Sequence, residues 1–368
     1  MRLTVERSAL LKALSHAQSV VEKRHTVPIL SHVLIHGEGG DVTLTSTDME
    51  LNLVETLPAM VEEAGALTVP ALMLFDIIRK IEGDTVLLFK KETQLHIHAG
   101  RSKFRLSFLE ADQFPLMQTS DLPIRFKLTP EQLKQLLDKP RFAMATEETR
   151  YYLNGIYWHI VMGKNILRAV ATDAHRLALT QIKAPEGSLE MPGVIISRKT
   201  VNEVRKLLDE EAKEITVHLS DQRIEFHFTQ SSLSSRLIDG NFPDYTQVIP
   251  EQNNRVFFVP TKQYANAVDR VATVVSDKVR VIKLDLSENQ VILSSVGNDL
   301  GSAQEELTVA YDQNDSVSIG FNAKYLLDIT QQIDEEETEV ALCDGNQPAL
   351  LKGSGNEESM YILMPMRI

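Results

Sequence analysis

The sequence predicts an α+β protein built from three tandem copies of one unit, each copy made of two βαβββ halves. Three observations carry that prediction. A short strand ending in proline or a capping residue leads repeatedly into an amphipathic helix, at Pro70, Pro130, Ser197, Pro260 and Asn322. Asp48 and Asp173 lie 125 positions apart, and Asp173 and Asn298 are again 125 apart. A Phe-Pro pair leaves the first and second copies at Phe114-Pro115 and Phe242-Pro243, with Met364-Pro365 a looser counterpart in the third. The copies are placed at residues 1–122, 123–252 and 253–368.

In the first copy, residues 8–21 set Leu10, Leu11, Leu14, Ala17 and Val21 near helical spacing. Period-2 segments follow at 33–35, 42–46 and 51–57, broken by Gly37, by Gly39-Gly40 and by Pro58. Residues 67–69 form the next strand, and Pro70 opens a helix where its missing N–H costs little. That helix, 71–81, buries Leu74, Phe75, Ile77, Ile78 and Ile81 and ends at Gly83. Strands at 85–89, 95–99 and 103–109 complete the copy. In the second copy Leu133, Leu136 and Leu137 mark one helix and residues 199–208 the other. In the third, Tyr264, Val268 and Val271 mark one and residues 323–333 the other. Ser197 and Asn322 are expected N-caps. Pro140 is expected to kink the third helix near its end.

With 43% hydrophobic residues over 368 positions, each copy can bury its own core. Cys343 is the single cysteine, so no internal disulfide is available, which fits a reducing compartment. The first residues hold no apolar h-region, and no run of about 18 apolar residues exists, so a cytoplasmic protein without a membrane span is expected. The net charge of −13 argues against nucleic-acid binding unless the basic residues are segregated. Lys12, Lys23, Arg24, Arg79, Lys80, Lys134, Lys139, Arg141, Arg198, Lys199, Arg205, Lys206, Lys262, Arg270 and Lys324 all fall within or at the ends of six short helices. On the fourth helix Val201, Val204 and Leu208 share one face, and Lys199, Asn202 and Lys206 the opposite one. Six such faces turned the same way would make a basic lining. Asp76, Glu131, Glu203, Asp209, Asp269 and Asp328 lie on or near the same helices, so any one helix is equally an ordinary solvated face.

Residues 171–177 gather Asp173, His175 and Arg176, which suggests an acid–base set. A hydrolase built on them lacks a nucleophile: no Gly-x-Ser-x-Gly exists, and the pair has no third orienting group. The repeat instead sets Asp173 level with Asp48 and Asn298, so its carboxylate is expected to serve a turn common to the copies. His96 and His98 alternate on a strand without Cys, Asp or Glu at ligand spacing, so an exposed strand face is expected there and no metal. No Walker A or dinucleotide fingerprint is present. Tyr151-Tyr152, beside Arg150, are either base-stacking residues or half-buried strand aromatics. Residues 360–368 read as a last strand with an apolar tail. Its methionines suit a plastic peptide-binding surface, or else pack the core.

Arg150-Tyr151-Tyr152-Leu153-Asn154-Gly155, Ala171-Thr172-Asp173-Ala174-His175-Arg176-Leu177, Asp239-Gly240-Asn241-Phe242-Pro243-Asp244-Tyr245 and Met364-Pro365-Met366-Arg367 together resemble the bacterial sliding clamps, the beta subunits of DNA polymerase III. The resemblance covers the whole chain. It implies three clamp domains per chain and a head-to-tail homodimeric ring, with helices inside and sheets outside. Such a ring encircles duplex DNA and tethers the replicative polymerase for processivity, with no catalysis and no cofactor. It also implies a groove between the second and third domains for short linear motifs of the polymerase, the clamp loader and repair polymerases. Its walls here would be Leu153, Thr172, His175, Arg176, Leu177, Pro243, Val248, Pro348, Ile362, Leu363, Met364, Pro365, Met366 and Arg367. Ala174 stands where many relatives have Gly, and Thr246-Gln247 where some have a basic pair. For DNA the resemblance points to Arg24, with Arg79, Lys80, Tyr151, Tyr152, Lys199 and Arg205. Glu147-Glu148 stand where some relatives have a less acidic loop. For the dimer, Phe104 and Leu106 on an edge strand of one chain would meet Thr273 and Val274 of its partner. A third alternative is an interaction scaffold with no DNA role.

Overall fold

A computed structural model describes residues 1–21, 27–117, 121–208, 213–275, 281–295 and 301–368. The first copy runs β1 (Arg2–Glu6), α1 (Arg7–Val20), β2 (His32–Glu38), β3 (Asp41–Thr47), β4 (Leu51–Glu63), β5 (Gly65–Pro70), α2 (Ala71–Lys80), β6 (Thr85–Lys91), β7 (Gln94–Ala99) and β8 (Ser102–Ser107). The second runs β9 (Ile124–Leu128), α3 (Pro130–Arg141), β10 (Gly155–Val161), β11 (Ile166–Thr172), β12 (Arg176–Lys183), β13 (Val194–Ser197), α4 (Arg198–Leu207), β14 (Ile215–Leu219), β15 (Arg223–His227) and β16 (Ser231–Arg236). The third runs β17 (Arg255–Pro260), α5 (Thr261–Ala272), β18 (Val281–Ser287), β19 (Gln290–Ser295), β20 (Gln304–Thr308), β21 (Val317–Asn322), α6 (Ala323–Thr330), β22 (Glu337–Leu342), β23 (Ala349–Gly353) and β24 (Ser359–Leu363).

The order βαβββ thus occurs six times, two per copy. The halves of a copy are not independent, however. β1 pairs with β6 and β5 with β2. Likewise β9 pairs with β14, β17 with β22 and β21 with β18. The first strand of a half lies in the sheet of the other half, so neither half can complete its main-chain hydrogen bonds alone.

Two compact units form, and they do not coincide with the copies: Met1–Leu133 with Pro185–Ile238, and Lys134–Ala184 with Asp239–Ile368. In the first unit one sheet carries the order β8-β7-β6-β1-β4-β16-β15-β14-β9, with β2, β3 and β5 branching from β4. Leu10, Ala13, Leu14 and Ala17 of α1 and Leu74 and Ile78 of α2 meet Val33, Ile35, Val42, Leu44, Leu88 and Ile97 of the strands in one core. Leu3 and Val5 of β1 also turn inward there, a strand the sequence reading did not mark. Pro58 does not break its strand: β4 continues to Glu63. It exchanges partners there, pairing with β3 up to Asp41↔Pro58 and with β1 from Ala59 on. A residue without an N–H is tolerated at that switch because no ladder donor is needed from it.

In the second unit β10-β11-β12-β24-β23-β22-β17 form one sheet and β20-β19-β18-β21 another, with α5 packed on α6. Pro140 lies in the last turn of α3, beside its terminal Arg141, so it stops the helix more than it bends it. The expected caps are present. Ser197 Oγ accepts from Thr200 N in the first unit, and Asn322 Oδ1 accepts from Lys324 N and Tyr325 N in the second. α4 and α6 end at Leu207 and Thr330, slightly before the expected ends.

Candidate functional site

The Asp173 segment is a turn built twice over. Thr172 Oγ1 donates to Arg176 O at 2.7 Å and accepts from Ala174 N at 3.2 Å, while Asp173 Oδ1 accepts from His175 N and Arg176 N, both at 3.0 Å. In the first copy Thr47 Oγ1 donates to Leu51 O at 2.9 Å and accepts from Met49 N at 3.1 Å. Asp48 Oδ1 accepts from Glu50 N and Leu51 N at 2.9 and 2.6 Å. Met49 and Ala174 both take φ in the left-handed region, 78° and 73°. Asn298 and Asp299 lie outside the described residues. One carboxylate oxygen is therefore committed to the backbone in each turn, which removes Asp173 from acid–base work with the His175 ring.

The second oxygen pairs with a basic group, distant in sequence for Asp48 and within the turn itself for Asp173. Asp48 Oδ2 pairs with Lys199 Nζ, which also donates to Val20 O at 3.0 Å. Asp173 Oδ2 accepts from Arg176 Nε at 3.0 Å. Arg176 is buried, and three hydrogen bonds hold its guanidinium. Its Nη1 reaches Asp328 Oδ2 at 2.5 Å and its Nη2 the Phe142 carbonyl at 2.8 Å. Its guanidinium lies 4.3 Å from the Tyr325 ring centroid and 4.9 Å from that of Phe142. A planar, five-donor group suits this site, and a lysine would not.

β12 pairs with β24 at Arg176↔Leu363 and Leu177↔Ile362. Met364 N then bonds the His175 carbonyl at 2.9 Å, and Met366 N bonds the Gly320 carbonyl at 2.8 Å. A Cβ on Gly320 would stand 2.7 Å from the Met366 oxygen, so the glycine makes room for the tail. Leu153, Arg176, Leu177, Ile362 and Leu363, expected in the groove, are buried. The side chains that reach solvent are those of His175, Pro243, Val248, Met364, Met366 and Arg367, with Thr172, Pro348 and Pro365 half-buried. His175 stacks on Tyr325 at 6.2 Å.

Leu177 and Ile362 belong to an apolar cluster with Val170, Leu179 and Tyr245, and Tyr157, Phe242, Ile249 and Met360 lie over it. Tyr157 and Phe242 stack at 4.8 Å. His159 lies beside them. Burial pushes its imidazole below the ordinary range, against a raising contribution from its bond to the Ile160 carbonyl. With Nδ1 donating there, Nε2 accepts the Tyr245 hydroxyl at 2.8 Å. On the rim, Thr246 Oγ1 donates to Asp244 Oδ1 at 2.5 Å, Gln247 Nε2 to Asp244 Oδ2 at 3.0 Å, and Thr246 N to Asp244 Oδ1 at 3.1 Å. These bonds hold the Asp244 carboxyl below its usual range. The sequence reading missed Gly320, Phe142, Tyr325 and Asp328. Only the i, i+3 spacing of Tyr325 and Asp328 on α6 signalled a shared face.

The basic helix residues divide into two sets. Arg79 pairs with Asp76 (2.8 Å), Lys139 with Asp334 (2.7 Å), Lys206 with Glu203 (2.9 Å), and Arg270 with Glu305, besides Lys199 with Asp48. Lys80, Lys134, Arg141, Lys262 and Lys324 are exposed, and no ion pair is formed by them among the described residues. Arg205 is half-buried on α4, and Arg24 lies outside the described residues. Tyr151 is exposed and meets Tyr152 edge-on at 5.8 Å, with Glu147 and Glu148 exposed beside them. The pair sits in a short 3₁₀ segment, Glu148–Leu153, not on a strand.

β8 is the edge of its sheet. Phe104 is 38% exposed and helps line a cavity of about 500 Å³ with Leu72, Met73 and Ile77. Leu106, two residues on, is instead buried in the core. Thr273 is exposed and Val274 half-buried just after α5.

Three copies of one α+β unit, joined strand to strand and with exposed apolar side chains beside the last strand, define a clamp-type protein. Family models agree. The N-terminal, central and C-terminal domains of the DNA polymerase III beta subunit match residues 1–118, 127–244 and 246–367. The beta sliding clamp of Caulobacter vibrioides is 43% identical and that of Pseudomonas aeruginosa 37%, each over the whole of both chains. A solved clamp of Bartonella birtlesii, bound to griselimycin, superposes with a TM-score of 0.97 at 44% identity, again covering both chains fully. The chain belongs to the DNA polymerase III beta subunit family, the beta sliding clamps. It is a non-catalytic processivity factor that holds polymerase on DNA.

The left-handed Ala174 carries a cost that a relative with glycine there avoids. Ala174→Gly should stabilise the chain by about 1 kcal/mol, since an L side chain at positive φ costs roughly 1–2 kcal/mol. Urea denaturation checks this, and an unchanged or lower midpoint contradicts it.

Proposed function

We propose that this clamp closes head to tail with a second copy of itself, β8 of each chain against β20 of the other, around duplex DNA in the cytoplasm. The joints within the chain carry this reading. β4 meets β16 at Leu51↔Ser235 and the residues that follow, and β12 meets β24 in the corresponding way. Each joint sets the last strand of a first half against the last strand of the next copy's second half. In the third copy β20 holds the place of β4 and β12. In the first copy β8 holds the place of β16 and β24. Among the described residues both are sheet edges. A second chain completes both ladders at once and removes the hazard of an exposed edge. Phe104 is the side chain available to meet Thr273 and Val274 of the partner, while Leu106 supports the strand from beneath. The domains would then run 1–122, 123–252 and 253–368.

Phosphate contacts fall to the exposed Lys80, Lys134, Arg141, Lys262 and Lys324, together with Arg24, while Tyr151, Tyr152 and Arg205 are weaker candidates. Lys199 and Arg79 are committed to carboxylates and take second place. Short apolar motifs from the replicative polymerase, the clamp loader and repair polymerases dock over the Leu177–Ile362 floor. There they meet His175, Pro243, Val248, Met364 and Met366.

Phe104→Arg should reduce the native mass from about twice the 41.3 kDa chain toward a single chain, as read by analytical ultracentrifugation. A dimer untouched by that change would exclude the β8 contact. Loaded on a nicked circle, the wild type should resist salt that strips ordinary phosphate binders and should leave once the circle is linearised. Equal retention on both forms would defeat the encircling reading. Removal of residues 364–368, or Gly320→Val, should abolish binding of a polymerase-tail peptide while the dimer persists. A peptide bound as well as before would displace the docking site from this tail.

A further inference from the structure

We propose that His218, Glu225 and His227 form a binding site for one divalent transition-metal ion of the zinc class. The hairpin of β14 and β15 sets His218 directly opposite Glu225, and His227 opposite Thr216. Alternation puts all three side chains on one face of the sheet. The other face holds Ile215, Val217, Leu219, Ile224 and Phe226, which are fully buried, so the backbone beneath the site is fixed by the core. One ligand atom from each of the three lies within 4.8 Å of the others. The His218 and His227 rings are 4.5 Å apart between centroids, and His227 Nε2 is 3.3 Å from Glu225 Oε2.

Two imidazoles and one carboxylate are the donor set that zinc, nickel and copper ions favour over magnesium or calcium. Zinc holds such donors at about 2.0–2.2 Å. The separations here are those of side chains that need only small χ rotations to reach one ion. All three are half-buried, so solvent can fill the remaining coordination position. Arg125 of β9 lies across from His218, and Lys127 across from Thr216 on the same face; both side chains are exposed, and Lys127 pairs with Glu214 at 2.8 Å. The pair His96 and His98 on β7 makes a contrast. Phe89 sits against both rings, at 4.9 and 5.0 Å, and no carboxylate joins them in a candidate cluster among the described residues. Sequence spacing alone flags that pair and passes over His218, because Glu225 and His227 come to it across a turn. Zinc would tie β14 to β15 and favour the folded state, because the hairpin holds the three donors together and the unfolded chain does not preform the site.

The test uses the full chain, stripped with a chelator and titrated with zinc chloride by calorimetry. One ion per chain should bind, and the thermal midpoint should rise with zinc. Cobalt(II) in its place should give the visible absorption of a low-coordinate nitrogen–oxygen site. His218→Asn with His227→Asn should weaken zinc binding about a hundredfold or more while leaving the chelator-treated midpoint unchanged, a larger loss than the roughly 10–100-fold seen for outer-shell partners. His96→Asn with His98→Asn should leave zinc binding intact. Should the double variant at 218 and 227 fold poorly, Glu225→Gln alone, with its smaller but clear loss of affinity, decides. No zinc uptake by the wild type, or uptake undiminished by changes at 218, 225 and 227, overturns the proposal, as does loss of uptake in the 96/98 variant.

Discussion

Main-chain pairing between consecutive copies is the constraint on which the rest of this molecule depends. β4 against β16 and β12 against β24 turn separate sheets into continuous ones. Each joint uses backbone groups that would otherwise face water at an edge, so it adds order without requiring a large apolar interface. The joints also explain why the compact units cut across the repeat. One unit is the first copy with the later half of the second; the other is the earlier half of the second with the third. Among the described residues, a repeat joined in this way leaves β8 of the first copy and β20 of the third as sheet edges.

The Thr-Asp turn shows how the same local chemistry is put to different uses. In both copies the threonine hydroxyl and one carboxylate oxygen close the turn, and a left-handed residue completes it. The remaining oxygen differs. Asp48 takes Lys199 directly, whereas Asp173 takes Arg176, which passes on to Asp328. Two carboxylates around one buried guanidinium are tolerable because the ring faces of Phe142 and Tyr325 and the Phe142 carbonyl absorb the rest of its charge and donors. Losing Arg176 would leave two adjacent carboxylates facing each other with no cation between them.

Much of this was legible in the chain. The fixed interval between Asp48 and Asp173 revealed the copies, and hydrophobic spacing placed α1 and α2 within a residue of their observed ends. The caps at Ser197 and Asn322 followed from side-chain chemistry alone. What stayed hidden was non-local. Strand exchange between halves leaves no period in the sequence. Pro58 reads as a breaker until its change of partner is seen. Arg176 and Asp328 are 152 positions apart, and nothing local announces their contact. Matching positions to a family says nothing of exposure, and Leu177, Ile362 and Leu363 turn out to be buried. The basic helices were counted correctly as a set, but Lys139, Lys199 and Lys206 are neutralised by carboxylates that only folding brings near or orients.

The tail illustrates how order prepares a plastic surface. Its backbone is held at Met364 by His175 and at Met366 by Gly320. Pro365, between them, has no N–H to satisfy, so the two anchors account for every donor across those three residues. Met364 and Met366 sit two apart on this extended segment and share a face, and each stays 37% exposed. The entropy of fixing the main chain is therefore spent on folding, before any partner arrives. A motif docking there, as proposed, would have to order only flexible thioether side chains, which adapt to different apolar residues at little cost. Under the docking proposed above, a rigid backbone beneath adaptable side chains would suit several linear motifs, and the β12–β24 joint supplies the rigidity.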